Sequence, residues 1–490
     1  MEELNRNTEQ RPWPPVRRRK RRPKWQRVLR KYWPPIRFGL ICLLLLVLLI
    51  SGVRGVVGLI RDAVNRQETI QQTDPPATEP TEDPNRREVE ARMAQADFLA
   101  AGYDYQAAID LLRADPHYTE YAAELDAKVA EYQQNEQDLV SYDKMDQITH
   151  VFFHTLVVDE ARCFDGDRRE KGYNLYMTTV DEFNQILESM YERGYVLVSP
   201  YDVAYEVTDE SGTHFTYGDI RLPEGKIPFV MSQDDVNYYG YMIGDEDPEL
   251  ERPAVANAGG DGFAHKIIIG DDGYPTCEYY DADGNLLVGS YDLVPLLEDF
   301  IQKHPDFSYR GARAVLGMTG YEGVFGYRTK PGHKNFLGEE AYQKEVEQAK
   351  EVAQCLRDHG WILASHTYGH PSLGVVDVER VATDTQKWED TVESIIGDCD
   401  IILYPNGSDV AGIEKYTMDN EKFKILYDSG IRYFYNVDSS IYWSQLGEDY
   451  FRGGRRNLDG YRMYNSPGRL EDLFDARAIF SKARPTPVSF

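Results

Sequence analysis

The sequence predicts an α/β domain built on a parallel sheet or barrel, preceded by an apolar segment and a short helical region. From about residue 147 onward, strand-like apolar runs alternate with helix-like runs. Such alternation favours parallel strands joined by helices. The chain has 490 residues, which is enough for one large domain with accessory segments.

The apolar segment, residues 38–60, contains one charged residue, Arg54. About 20 apolar residues suffice to cross a bilayer. The basic run 17–22 precedes it, and such runs stay on the cytoplasmic side. A cleaved signal peptide is disfavoured because the basic region is too long and no small-residue cleavage site follows. We therefore expect a basic cytoplasmic tail, 1–37, a single-pass transmembrane helix, 38–60, and a body outside the cell membrane.

Two further regions lie between the apolar segment and the strands. Residues 61–85 are rich in Pro, Thr and acidic residues, a composition typical of extended linkers. Residues 86–140 carry apolar residues at helical spacing, with breaks at Gly102 and Pro116. This pattern predicts a helical hairpin that serves as a stalk. The remainder, 141–490, is predicted to be the α/β domain.

Within this domain, Thr179 and Glu182 have capping-box spacing at the start of the first predicted helix. Residues 236–290 are rich in Gly and Asp and predict an inserted β-hairpin region. The four cysteines outside the apolar segment are widely spaced, so a cysteine zinc site is not supported, although one or two disulfides stay open. The predicted strands are ITHVFFHTLVV, YVLVSP, IPFVMSQ, ARAVLGMTG, WILASHT, DIILYP and RYFYNV.

Three polar segments follow predicted strands, where parallel barrels place their active sites. They contain Asp234 with Asp235, His366 with His370, and the run 404–407. Taken singly, each segment has a simpler explanation. The Asp pair is explained as an acidic turn, the His pair as a chance match, and the run 404–407 as a turn. Taken together, two imidazoles and one carboxylate supply three ligands for a catalytic divalent metal. Adjacent Asp side chains on an extended chain point in opposite directions, so only one should bind the metal unless the chain turns there.

The order of these segments resembles the polysaccharide deacetylase family, the NodB homology domain of carbohydrate esterase family 4. The family motifs T-F-D-D-G, H-[ST]-x-x-H and an Arg-Pro-Gly-type loop correspond to S-Q-D-D-V (232–236), H-T-Y-G-H (366–370) and Y-P-N-G (404–407). The run HVFFHTLVVD (150–159) resembles the strand that opens many members. The resemblance covers about residues 145–480 and implies a distorted (β/α) barrel with fewer than eight repeats.

The resemblance also implies roles for the matching residues. Asp234 would be the general base, and Asp235, His366 and His370 would bind a divalent metal, with zinc as the expected ion. Acetylated polysaccharide would be the substrate.

Further residues complete the expected site. The loop containing Tyr404, Pro405 and Gly407 would contact the substrate, and a backbone N–H near Tyr404 would hold the oxyanion. His154 is either a satisfied core histidine or part of the pocket floor. Asp438 is a second candidate pocket residue.

The sequence departs from the family pattern at several positions. Gln233 replaces an aromatic residue, Tyr404 stands where the third motif has Arg, and no His follows His370, so the late His that serves as general acid is missing. Because an amine leaving group needs a proton more than an alkoxide does, three outcomes are open. These are a substitute acid (Asp438 or Asp409), a shift toward O-acetyl esters, or loss of catalysis.

These observations predict a membrane-anchored, metal-dependent deacetylase of a cell-envelope polysaccharide, either peptidoglycan containing N-acetylglucosamine or an exopolysaccharide. The alternatives are a non-catalytic glycan-binding relative and an envelope assembly protein whose working part is 86–136. Residues 62–490 carry 39 Lys and Arg against 79 Asp and Glu. This acidic balance argues against nucleic acid as a partner.

Overall fold

The computed structural model describes residues 83–210, 212–244, 260–438 and 440–490, and Glu82–Phe490 form one compact unit. The predicted tail and transmembrane helix, and nearly all of the linker 61–85, lie outside the described residues. Within the described ranges, no helix is long and apolar enough to cross a membrane.

The strands and helices alternate as predicted from residue 149 onward. The strands are β1 (Val140–Ser141), β2 (Thr149–Phe153), β3 (Tyr195–Leu197), β4 (Ala204–Asp209), β5 (Gly212–Tyr217), β6 (Arg221–Leu222), β7 (Ile227–Gln233), β8 (Lys266–Ile269), β9 (Pro275–Tyr280), β10 (Leu286–Gly289), β11 (Val315–Met318), β12 (Ile362–Ser365), β13 (Ile401–Leu403), β14 (Tyr433–Val437), β15 (Ser444–Leu446) and β16 (Phe451–Asn457). The helices are α1 (Pro84–Ala101), α2 (Tyr105–Arg113), α3 (Ala122–Gln137), α4 (Glu160–Cys163), α5 (Glu170–Tyr176), α6 (Val180–Glu192), α7 (Pro200–Val203), α8 (Gly240–Ile243), α9 (Leu293–Lys303), α10 (Lys334–Leu337), α11 (Glu339–Asp358), α12 (Val378–Trp388), α13 (Ser394–Ile396), α14 (Glu421–Asp428), α15 (Gly460–Asn465) and α16 (Ala476–Ile479).

Seven parallel strands close into a barrel in the order β2, β7, β11, β12, β13, β14 and β16, with β16 pairing back to β2. Strand β7 closes the ring. One of its edges pairs with β2, and its other edge is shared between β3 and β11. On the shared edge, Ile227 pairs with Tyr195 of β3, and Ser232 farther along pairs with Val315 of β11. The predicted α/β barrel with fewer than eight repeats is therefore confirmed.

The apolar runs of the barrel strands are explained by burial on both faces. Along β13, Ile401 and Leu403 belong to one hydrophobic cluster inside the barrel, whereas Ile402 packs in a second cluster with the surrounding helices. The predicted capping box is present at the start of α6, where the Thr179 hydroxyl accepts from the Glu182 amide and the Glu182 carboxylate accepts from the Thr179 amide. Local sequence signals thus determine both the strands and this helix start.

Helices α1 to α3 pack against the barrel, and the structure does not divide at residue 140 as the sequence suggested. Leu112 and Leu125 are fully buried in the same cluster as the barrel residues Val230 and Val315. The Tyr103 hydroxyl donates to the carbonyl of Asp306, 3.0 Å away. The region 86–140 is therefore three helices inside the compact unit, because their apolar faces cover one end of the barrel.

The region 236–290 contains a three-stranded antiparallel sheet in the order β10, β9, β8. Its antiparallel pairs, β8 with β9 and β9 with β10, agree with the β-hairpin region expected from the sequence. A separate hairpin, β4 with β5, lies earlier in the chain. The four cysteines within the described residues, Cys163, Cys277, Cys355 and Cys399, are all free, so the disulfides left open by the sequence do not form there.

Candidate active site

The three predicted segments meet at the carboxyl ends of adjacent barrel strands. Asp234 and Asp235 follow β7, His366 follows β12, and the 404–407 loop follows β13. Strands β7, β11, β12 and β13 are neighbours in the barrel. Their loops therefore converge at the end where parallel barrels build active sites.

Three residues form a candidate metal centre. Asp235, His366 and His370 each offer one ligand atom, and these atoms lie within 4.8 Å of one another. The His366 ring is fixed by its Nδ1, which lies 2.7 Å from the carbonyl oxygen of Leu403, leaving Nε2 for an ion. His370 Nε2 lies 3.9 Å from Asp235 Oδ2.

Left-handed backbone at two ligands makes this geometry attainable. Asp235 has φ 59° and His370 has φ 54°, which only a few per cent of non-glycine residues adopt. Strand β7 ends at Gln233, and the turn at Asp235 brings it to the same site as Asp234. The chain therefore turns at Asp235, which is the condition under which the sequence argument allowed both carboxylates to face one metal site.

Asp234 is fully enclosed and pairs with Arg455 of β16. The distance from Asp234 Oδ1 to Arg455 Nη1 is 2.6 Å, and that from Asp234 Oδ2 to His366 Nε2 is 3.9 Å. Burial by itself would raise the pKa of Asp234, but the positive charge of Arg455 holds that pKa well below its usual range. Asp234 is therefore an ionised carboxylate fixed in one orientation.

Arg455 is the site residue that sequence analysis missed. Strand β16 reads FRGGRRN, without the apolar run or alternation that marks a strand. Its three arginines each pair with a carboxylate: Arg452 with Asp409, Arg455 with Asp234, and Arg456 with Asp472. Because each partner lies far away in sequence, no local pattern marks them. Arg455 supplies the cation that is absent at position 404.

Tyr404 is directed away from the metal centre. Its hydroxyl lies 2.8 Å from the hydroxyl of Tyr416, and its amide donates to the carbonyl of Tyr435, 2.8 Å away. The Gly407 amide donates to the carbonyl of Tyr404. The amides of Tyr404 and Gly407 are therefore used by backbone partners, and the expectation that a backbone N–H near Tyr404 holds the oxyanion stays a prediction.

The two carboxylates considered as substitute acids differ in their surroundings. Asp409 accepts from both Arg452, at 2.9 Å, and the Tyr416 hydroxyl, at 2.7 Å. These contacts hold Asp409 as a structural anion. The Asp438 carboxylate lies against Gly454 and accepts from the amide of Ser440.

His154 lies one residue past the end of β2, at the end of the barrel where Asp234 follows the neighbouring strand β7. This position agrees with the pocket interpretation. Its side chain is half-buried. Its Nδ1 lies 3.1 Å from the carbonyl oxygen of Tyr176. The Nδ1 contact leaves Nε2 as the nitrogen that can exchange a proton with a ligand.

Gln233, which replaces the family's aromatic residue, serves a buried network around Asp292. The Asp292 carboxylate accepts from the Gln233 side chain, the Leu156 amide and the Tyr238 hydroxyl, at 3.0, 2.9 and 2.6 Å. The Gln233 amide nitrogen also lies 3.4 Å from the carbonyl oxygen of His154. Gln233 therefore connects the segment containing His154 to the segment containing Asp234.

The donor set fits a divalent metal. Burial lowers the pKa of His366 despite the nearby carboxylates of Asp234 and Asp235, so the imidazole is neutral, which is the form that binds metals. Two imidazoles and one carboxylate match catalytic zinc sites that keep a position open. Asp234, which is held by Arg455, remains beside this set.

Comparison with known proteins supports the family resemblance. Residues 337–427 match the family model described as polysaccharide deacetylase, which confirms the resemblance predicted from the motifs. The matched segment holds His366, His370 and the 404–407 loop, whereas Asp234 lies outside it. No curated protein matches the sequence.

Among solved structures, the chain is similar to the deacetylase PplD of Streptococcus pyogenes in complex with acetate. The identity is 16%, the TM-score is 0.35, and the alignment covers 68% of this chain and 98% of that one. A mutant of BA3943, a CE4 family pseudoenzyme with restored enzymatic activity, shows 11% identity and a TM-score of 0.20, covering 43% and 86%.

The Arg455→Met substitution tests the buried ion pair. It leaves the Asp234 charge buried without its cation, so we expect the free energy of unfolding to fall by about 3–5 kcal/mol. Denaturant unfolding of the full chain measures this loss. Adding Asp234→Asn should recover part of it, because the uncompensated charge is then removed.

Arg456→Met is the matched control, since its partner Asp472 is 32% exposed and water can solvate it. An equal loss in both arginine variants, with no recovery in the double variant, would contradict the special role of the Asp234 pair.

Proposed function

We propose, from the match to the polysaccharide deacetylase family, that this chain is a metal-dependent hydrolase that removes acetyl groups from a polysaccharide. The observation that carries the proposal is the convergence of Asp234, held by Arg455, on the candidate ligands Asp235, His366 and His370. A base beside three metal ligands is the arrangement that hydrolysis of an acetyl group requires.

The first step requires an activated water molecule. A divalent ion bound there would polarise the acetyl carbonyl and acidify that water. Asp234 accepts the proton on Oδ2, because Oδ1 is already bonded to Arg455. Arg455 keeps the carboxylate ionised and fixed in orientation, so no rearrangement is needed when the water attacks the carbonyl carbon.

The second step breaks the bond between the acetyl carbon and the sugar nitrogen or oxygen. We propose that His154 donates the proton that the leaving group needs, from Nε2. The carbonyl of Tyr176 holds Nδ1, so Nε2 is the ring nitrogen left to face the leaving group. His154 thus takes the part of the late histidine that the sequence lacks, and the products are acetate and a free amine or hydroxyl.

The proposed setting is the cell envelope. The apolar segment 38–60, with the basic run 17–22 before it, supports a single-pass anchor with the catalytic domain outside. Peptidoglycan or an exopolysaccharide containing N-acetylglucosamine would then be the substrate. Protease digestion of intact cells tests this orientation: we expect cleavage within residues 83–490, and complete protection would contradict it.

The proposal is tested by acetate release from N-acetylglucosamine oligomers and from acetylated xylan, using the full chain stripped of metal and then supplied with zinc or cobalt. We expect release only with metal, and a fall of about 10²–10⁴-fold in Asp234→Asn, because the proton acceptor is lost. Asp271→Asn, from an exposed pair of adjacent acids, is the matched control and should keep full activity.

Metal binding that requires His366, combined with no acetate release from any substrate, would contradict the enzyme. It would favour the glycan-binding alternative.

His154→Gln tests the proposed proton donor. An amine leaving group depends on protonation more than an alkoxide does, so we expect release from N-acetyl substrates to fall by about 10²–10⁴-fold. Release from O-acetyl xylan should fall much less. His214→Gln, in the β4–β5 hairpin, is the control. Equal effects of His154→Gln on the two substrates would argue for a structural role.

A further inference from the structure

Tyr239 contacts the candidate metal ligand Asp235 directly. Its hydroxyl donates to Asp235 Oδ1 at 2.5 Å, within the range of charge-assisted O–H···O⁻ hydrogen bonds. The other carboxylate oxygen, Oδ2, is the one that faces His370 Nε2 at 3.9 Å. The hydroxyl therefore occupies one oxygen of Asp235 and leaves the other directed toward the second ligand.

The Tyr239 hydroxyl is itself held by a neighbour. It lies 2.7 Å from the hydroxyl of Thr319. Since the tyrosine proton points at Asp235, its oxygen accepts from Thr319. The Asn237 side chain bonds both backbone groups of Thr319, at 3.0 Å to the amide and 2.8 Å to the carbonyl. This arrangement joins the turn at Asp235 to the end of β11. It also aligns the Thr319 hydroxyl, which donates to Tyr239, with the Tyr239 hydroxyl, which donates to Asp235.

Ring stacking fixes the orientation of the phenol. Tyr239 is 3% exposed and stacks nearly parallel on Tyr321, with ring centroids 4.9 Å apart, and on Tyr241, with centroids 5.8 Å apart. The neighbouring Gly240 is held by a hydrogen bond from its backbone amide to the Glu322 carboxylate, 2.6 Å away.

We infer that Tyr239 is a positioning residue that holds Asp235 with a single oxygen toward the metal. This inference rests on the proposed function, because it requires the ion that Asp235, His366 and His370 would bind. Partners that orient metal ligands typically change affinity by about 10- to 100-fold when they are removed. No local pattern marks this role, because Tyr239 is one of 35 tyrosines.

Metal titration of the full chain tests the inference. Zinc and cobalt affinities are measured by calorimetry with a competing chelator for the unsubstituted chain and for Tyr239→Phe. We expect affinity to fall by about 10- to 100-fold in Tyr239→Phe, because only the hydroxyl is lost and the ring stack is kept. The melting temperature of the metal-free chain should stay close to that of the unsubstituted chain.

Tyr241→Phe is the matched control, since it removes a hydroxyl from a ring in the same stack. Its affinity should stay within about twofold of that of the unsubstituted chain. Thr319→Val gives an independent measurement if Tyr239→Phe folds poorly, and we expect a fall of about 2- to 5-fold.

Equal affinities for Tyr239→Phe and the unsubstituted chain would overturn the inference while leaving the metal site intact. Equal losses in Tyr239→Phe and Tyr241→Phe would overturn it as well, since they would assign the effect to the stack. Absence of metal binding by the unsubstituted chain would overturn the metal site itself, and with it both proposals.

Discussion

The enclosed pair of Asp234 and Arg455 is the interaction on which the site depends. A carboxylate without a cation at this depth would take up a proton or destabilise the fold, because burial penalises its charge. The pair also determines geometry, since one Asp234 oxygen is bonded to Arg455 Nη1 and the other faces His366. An ionised carboxylate held in one orientation beside His366 is possible only while this cation is in place.

The closed barrel allows distant residues to form such pairs. Arg455 lies 221 positions after Asp234, yet β16, β2 and β7 are adjacent strands. The same closure brings Gln233 to Asp292 and Tyr239 to Thr319. The site is therefore surrounded by hydrogen bonds between segments, which hold its loops at the rim of a rigid sheet.

The N-terminal helices also stabilise the barrel, because they cover one of its ends. Their buried residues join the cluster inside the barrel, so residues 84–137 belong to the folded unit rather than to a separate stalk. A fragment beginning at residue 141 would expose the apolar surface that these helices cover. The sequence pattern allowed an assembly protein in which residues 86–136 act by themselves. The packing of these helices on the barrel disfavours that alternative.

Sequence alone determined the features that have a local physical signal. These were the apolar barrel strands, the capping box at Thr179, and the polar segments at strand ends that carry Asp235, His366 and His370. Tertiary structure decided the pairings between distant residues. Arg455 lies on a strand without an apolar run, the Tyr404 amide is used by the neighbouring strand, and Tyr239 reaches Asp235 only through a left-handed turn. Such contacts depend on which strands are neighbours, and that is set by closure of the whole barrel rather than by any local segment.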